Sequence, residues 1–219
     1  MNEAERHAIA QRIAADIPEG AYVNLGIGIP TLVAGYVADR EIVFHSENGV
    51  LGVGRSSAGA PIDIDLIDAS KAPIGVVPGA SFFSHAESFA MIRGGHIDIA
   101  VMGAFQVSSH GDLANWSTGE SEVPAVGGAM DLAAGARQVW VAMGHSGRGG
   151  VAKLVDALTY PVTALGVVKR IYTELAVLEP RDGVFVVRET LGLTLDKLQA
   201  ATPGVRLVRP EASHGATHA

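Results

Sequence analysis

The chain contains no cysteine. That excludes disulfides, thiolate nucleophiles and cysteine-ligated metals. Charged residues make up only 18% of the sequence and aromatic residues 5%. No apolar run reaches the length of a membrane span, because Gly, Pro or a charge interrupts each one. A basic stripe is also missing. With a formal charge of −7, the chain is not expected to bind nucleic acid broadly. An anionic ligand would have to be held by a few local cations, by backbone N–H groups or by a partner chain. The start, Met1-Asn2-Glu3-Ala4-Glu5, is acidic and lacks the basic-then-apolar form of a signal peptide. A cytoplasmic location is the resulting expectation. The eight histidines are scattered. His45, His85, His96, His110 and His145 read as loop or surface residues, and no metal centre is expected.

Three nucleotide and hydrolase signatures fail as well. Gly26-Ile27-Gly28 begins a dinucleotide fingerprint, but Thr31 stands where its third glycine belongs and Pro30 interrupts the turn. No GxxxxGK[ST] occurs. Neither Gly144-His145-Ser146-Gly147-Arg148 nor Gly54-Arg55-Ser56-Ser57-Ala58 completes the GxSxG form of a serine hydrolase.

What is present is an apolar, glycine-rich chain. Its hydrophobic fraction is 48%, and its 27 glycines cluster at the ends of apolar runs. Asn2-Glu3-Ala4-Glu5 has the form of a capping box, and Ile9, Ile13 and Ile17 recur at four-residue spacing. A helix over 3–16 follows from both signals. Short strands are predicted at 21–25, 42–44, 63–68, 74–77, 97–102 and 138–143. Helices are expected at about 30–38, 84–92 and 129–134. Pro78-Gly79 reads as a turn, and 55–62 as a loop of small residues. Beyond that, the pattern predicts a helix over 166–173, strands at 175–179 and 184–188, and a helix over 194–201 begun by Thr194. The recurring order of strand, glycine, helix and strand is the sequence form of an α/β fold. Its sheet is expected to be mixed, mostly parallel and flanked by helices. Neither a repeat nor a linker divides the chain. Residues 1–209 read as a single domain, and the small polar tail 210–219 is expected to lack order.

One stretch stands apart, His45-Ser46-Glu47-Asn48-Gly49-Val50-Leu51-Gly52-Val53-Gly54. A buried strand there stops at a lone carboxylate surrounded by glycines. Such a glutamate is an anion at neutral pH and can attack a thioester carbonyl without a partner base. Bare backbone beside it lets a bulky substrate approach and points N–H groups at an oxyanion. Asn48-Gly49 is equally a good hairpin turn, in which Glu47 is merely solvated. The residues alone leave both readings open. Gly26 and Gly28, after a strand, offer backbone N–H groups to an anion or a carbonyl. Gly127-Gly128 is either a tight loop or the start of a helix able to supply an oxyanion donor. Lys71 is a loop lysine, with pairing to a phosphate or carboxylate as its functional alternative.

Several blocks of the sequence resemble the B-type chain of the 3-oxoacid coenzyme A-transferases. They are Tyr22-Val23-Asn24-Leu25-Gly26-Ile27-Gly28-Ile29-Pro30, Ser46-Glu47-Asn48-Gly49, Pro78-Gly79-Ala80-Ser81-Phe82-Phe83, Ala90-Met91-Ile92-Arg93-Gly94-Gly95-His96, Gly111-Asp112-Leu113-Ala114-Asn115-Trp116 and Gly127-Gly128-Ala129-Met130-Asp131-Leu132. They run in order over about residues 3–203. The resemblance implies a CoA-transferase-like fold, and Glu47 as the nucleophile of a ping-pong exchange through a glutamyl-CoA thioester. It also implies Gly128 as an oxyanion donor beside Gly127, with Asn24, Gly26, Gly28 and Lys71 lining a substrate and CoA site. Coenzyme A would be a substrate, and no cofactor would be bound permanently. A partner of the A type would complete the pocket in a heterodimer or heterotetramer. CoA would pass from succinyl-CoA to a 3-oxo acid such as acetoacetate or 3-oxoadipate. The alternatives on this scaffold are an acyl-CoA hydrolase and a non-catalytic CoA-binding subunit. One departure bears on substrate choice: Gly144-His145-Ser146-Gly147 stands where the family usually carries a Glu-His-Thr-type block.

Overall fold

The computed structural model describes residues 1–37, 40–54, 63–119 and 126–210. The small-residue stretch 55–62 and the tail from 211 lie outside the described residues.

Helix α1, Glu3–Asp16, opens on the expected capping box. The Asn2 side chain accepts the Glu5 N–H at 2.9 Å, and Glu5 accepts the Asn2 N–H at 2.6 Å. Its four-residue isoleucine spacing aims one stripe inward, and Ile9 and Ile13 are wholly buried. Strand β1, Tyr22–Leu25, follows. The helix expected at about 30–38 runs over Pro30–Tyr36 and winds as a 3₁₀ helix. Pro30 carries no N–H and Gly35 is a poor helix former, so only tighter turns close, such as Leu32 N–H to Ile29 C=O at 3.1 Å. Strands β2, Val43–Ser46, and β3, Val50–Gly54, form a hairpin. Strand β4, Gly75–Phe82, pairs with β3 at the sheet's edge.

Helix α2, His85–Arg93, is capped by Ser84 and Glu87 and leads to strand β5, Ile99–Met102. Two short strands, β6 (Gln106–Ser108) and β7 (Leu113–Ala114), precede helix α3, Ala129–Gly135, and strand β8, Gln138–Ala142. Strand β9, Leu154–Val155, joins β6 and β7 in a small separate sheet. The chain closes with β10 (Val168–Tyr172), β11 (Ala176–Arg181), β12 (Val184–Thr190), helix α4 (Leu195–Ala201) and β13 (Leu207–Val208).

The main sheet has ten strands in the order β13-β12-β11-β10-β8-β5-β1-β2-β3-β4. From β10 to β2 its neighbours are parallel, and antiparallel pairs extend it on both sides. Side chains alternate between two cores. Ile99, Val101, Trp140 and Ala142 meet α1, whereas Ala100, Met102, Val139 and Val141 meet the layer that holds α2, α3 and α4. Strands buried on both faces explain the continuous apolar runs.

Three expectations fail. Residues 166–173 contain strand β10 and no helix, because Val168, Ile171 and Tyr172 pair beside β8, where β-branched and aromatic side chains pack well. Residues 63–68 alternate but make a turn and a single bridge from Ile67 to Pro73. There the carboxylates take the backbone for themselves: Asp63 accepts the Asp65 N–H, and Asp68 accepts those of Ser70 and Ala72. Pro78-Gly79 sits inside β4 rather than in a turn. An edge strand tolerates a proline, and the pairing shifts register nearby, between Leu51 and Val53.

Candidate active site

Because β1, β2, β5 and β8 are mutually parallel, their carboxyl ends share one edge, where α/β sheets bind ligands. A cavity of about 590 Å³ opens there. Each strand end contributes to its wall: Leu25 and Gly26, Ser46 and Glu47, Met102 and Gly103, Met143 and Gly144. The start of α3 closes one side through Gly127, Gly128 and Ala129. Asp68, Ala69 and Ser70 close another.

Glu47 occupies the turn between β2 and β3. The Gly49 N–H bonds the Ser46 carbonyl at 3.0 Å, and Gly49 has φ +116. A Cβ on Gly49 would collide with the Phe83 carbonyl oxygen, so only glycine fits. The stretch is therefore a hairpin turn, and the same turn carries its glutamate to the cavity wall. Asn48 anchors it from outside by donating to the Ile67 carbonyl at 2.8 Å, while the Ser46 hydroxyl accepts the Ala69 N–H at 3.0 Å.

The Glu47 carboxylate lies against the backbone of Gly128. A Cβ on Gly128 would fall 2.8 Å from Glu47 Oε2 and 2.9 Å from the Phe89 ring. Among the described residues, neither the Gly127 nor the Gly128 N–H has a hydrogen-bond partner. Burial raises the pKa of Glu47, with the nearby Asp131 raising it further and His85 acting against both.

Asn24 is 3% exposed and lines the cavity from β1. Parallel register sets it beside His45, to which its Nδ2 lies at 3.1 Å from Nδ1 and 3.3 Å from the carbonyl. Gly26 also lines the wall, but its N–H is bonded to the Val101 carbonyl at 2.8 Å and is not free for a ligand. Gly28 lies just behind the wall, between Ile27 and Ile29, with φ +94 and its carbonyl accepting the Thr31 hydroxyl at 2.7 Å. Lys71 is exposed one residue beyond the Asp68–Ser70 wall, in a left-handed conformation with φ 66. The cavity thus brings Glu47, Asn24, Gly26, Gly127 and Gly128 together, and Gly28 and Lys71 stand outside it.

Asn115, from the Gly111–Trp116 block, also lines the cavity, as do Lys153 and Met1, to which no sequence motif points. Lys153 ends the excursion 144–153, whose first residue, Gly144, also lines the wall. The excursion closes on itself through a Ser146–Ala152 bridge and a Gly147 N–H to Val151 C=O bond of 2.7 Å. Lys153 is the one lysine or arginine in the wall among the described residues. Burial lowers its pKa, opposed by Glu174. Its only sequence signal is a lone cation after Gly149-Gly150-Val151-Ala152. Two of the histidines read as loop or surface residues are buried. His45 is 3% and His145 4% exposed, the latter set between the hydroxyls of Thr173 and Thr202 at 3.0 and 2.9 Å. His45 lies in β2 and His145 in the loop after β8, and each finds polar partners that the linear pattern does not reveal. Among the described residues no cluster of metal-ligating groups occurs, and no helix is long and apolar enough to cross a membrane.

A glutamate against bare backbone, at the ligand edge of a mixed α/β sheet, is an arrangement suited to acyl transfer through a covalent carboxyl intermediate. The family model described as Coenzyme A transferase matches residues 6–205, and the chain belongs to that family. It is 57% identical over 206 residues to the B-type chain of 3-oxoadipate CoA-transferase from Pseudomonas putida, a match covering 93% of this chain and 96% of that one. To the B-type chain of succinyl-CoA:3-ketoacid coenzyme A transferase from Helicobacter pylori it is 48% identical over 198 residues, covering 90% and 96%. An Escherichia coli O157:H7 acyl-CoA transferase, solved as a thioester complex with CoA, superposes with a TM-score of 0.74 at 18% identity. That match covers 94% of this chain but 42% of the longer protein. Glutaconate coenzyme A-transferase from Acidaminococcus fermentans gives a TM-score of 0.66 at 19% identity, covering 96% and 90%. At such identities these two structures show a shared fold.

Proposed function

We propose that this chain is the B-type component of an enzyme that moves CoA from succinyl-CoA to a 3-oxo acid, with Glu47 as the nucleophile. The observation that carries the reading is the Glu47 carboxylate held against the Gly128 backbone inside the strand-end cavity. A Glu47 oxygen attacks the thioester carbonyl carbon, the C–S bond breaks, and CoA leaves as thiolate from a mixed anhydride. The thiolate then attacks the glutamyl carbonyl, the anhydride C–O bond breaks, and the first acid departs as its carboxylate. A glutamyl-CoA thioester remains on Glu47. The acceptor carboxylate reverses these steps and leaves as its CoA ester, so no proton is gained or lost overall. The Gly127 and Gly128 N–H groups, without partners among the described residues and next to Glu47 in the cavity wall, are proposed as donors to each tetrahedral oxyanion.

Desolvation of Glu47 serves this chemistry, since a carboxylate poorly stabilised by water gains more on attack, and water kept away cannot hydrolyse the anhydride. Lys153 suits an acid substrate: a half-desolvated ammonium favours a carboxylate partner. Asn24, Gly26, Gly28 and Lys71 are proposed to shape the CoA side of the site, Gly28 through its turn and Lys71 from the rim. Coenzyme A enters as substrate. Because its relatives are named as one of two chains, an A-type partner is proposed to supply the rest of the pocket, in a heterodimer or heterotetramer. 3-Oxoadipate is the first acceptor to test, because relatives carrying that name are 57% and 50% identical. The test is co-expression with the A-type partner, followed by assay with succinyl-CoA against 3-oxoadipate and acetoacetate. Formation of the acceptor's CoA ester supports the reading. Release of free CoA without an acceptor would replace it with a hydrolase, and no turnover with any acid would reject it.

A further inference from the structure

Asn24 and His45 form a unit whose hydrogen-bonding directions are fixed by chemistry. The Asn24 Nδ2 lies 3.3 Å from the His45 carbonyl oxygen, which can only accept. The nitrogen of the amide must therefore face that carbonyl, since the opposite orientation would set two acceptors against each other. The same nitrogen lies 3.1 Å from His45 Nδ1. Nδ1 must then be the unprotonated acceptor, and the ring proton must sit on Nε2. On its far side, Nε2 is 2.9 Å from the Ser88 hydroxyl in α2, which can take that proton's hydrogen bond. The Phe83 ring stacks over the imidazole, with centroids 6.1 Å apart and planes 13° from parallel. Both Asn24 amide hydrogens are drawn to His45, which leaves the Oδ1 acceptor as the atom that Asn24 offers the cavity.

We infer that His45 is a positioning residue: relayed from Ser88, it locks the Asn24 amide so that its oxygen, and not its nitrogen, is presented to the CoA ester. The inference rests on the CoA-transferase reading of the cavity. A fixed acceptor selects an N–H donor, and the amide groups of the CoA arm belong to that class. A turned amide would present N–H groups, which cannot accept from an amide N–H and would favour the arm's carbonyl oxygens instead. Burial holds His45 neutral, with a pKa of about 4, so the lock survives throughout the neutral range.

The test is a double-mutant cycle in the complex with the A-type partner. His45→Ala is expected to raise KM for the CoA ester about tenfold, with a smaller change in kcat, as Asn24 becomes free to turn. His45→Asn, whose Oδ1 stands close to the lost Nδ1, should recover most of that. In an Asn24→Ala background, His45→Ala should have little further effect on KM. Equal losses in both backgrounds would mean that His45 acts only through the fold, and would overturn the inference. Nitrogen-15 spectra of the wild-type complex give a second readout that does not depend on turnover. They should show His45 unprotonated at Nδ1 and protonated at Nε2, and a protonated Nδ1 would overturn the inference. A wild-type complex that moved no CoA would count against the functional reading alone, and the nitrogen spectrum would still decide the lock.

Discussion

Glu47 is a half-buried acid in a cavity and, as the proposed nucleophile, must ionise to react. Since burial raises its pKa, the acid limb of the pH profile of kcat/KM should lie above the ordinary glutamate range of about 4.3. A limb at the ordinary value would contradict the burial. The same shift has a sign for stability. A group whose folded pKa exceeds its unfolded one binds protons more tightly when folded, so stability falls as pH rises through those two values. Glu47→Gln should therefore abolish transfer while leaving the melting temperature at pH 7 equal or higher, and the difference should vanish below about pH 4. Calorimetry at the two pH values checks this. Gly128→Ala is a sharper probe. With φ −78 the backbone accepts alanine, but the new methyl falls 2.8 Å from the Glu47 carboxylate. Activity should drop at least tenfold, because a small misplacement of a nucleophile is costly, and the Phe89 ring 2.9 Å away should add a smaller loss of stability. Glu47 is legible in the sequence because it ends an apolar run before Asn-Gly. His45 and Lys153 are not: the first gains its meaning from register with β1, and the second from a loop returning to the cavity.

Among the elements, those with caps are the ones the linear pattern reveals. α1, α2 and α4 each begin at a side chain that accepts the N–H three residues on. Asn2→Ala removes one half of the α1 box and should cost about 1 kcal/mol, measured by denaturant unfolding. An unchanged midpoint would mean that packing of Ile9, Ile13 and Ile17 alone holds the helix. Elements decided by distant pairing are the ones it misleads on. β10 carries Lys169 and Arg170 among apolar residues, a spacing that also suits a helix, and only its neighbour β8 settles the matter. At 63–68 the period of two is real, but aspartates that bond their own backbone make turns of it.

At the scale of the whole chain, alternation of strands, glycines and helices is enough to predict a mixed, mostly parallel sheet. Which strand ends meet is not readable, since the order β8-β5-β1-β2 depends on crossovers that leave no local trace. That order makes the site by placing Glu47, Asn24 and the end of β8 on one edge. CoA is proposed to pass through a covalent bond to Glu47, and that bond can be weighed. The complex with the A-type partner is mixed with succinyl-CoA in the absence of acceptor, quenched, digested and weighed peptide by peptide. A CoA adduct on the peptide containing Glu47, lost when 3-oxo acid is added, is the predicted result. An adduct confined to another residue, in a preparation that still transfers CoA, would contradict it.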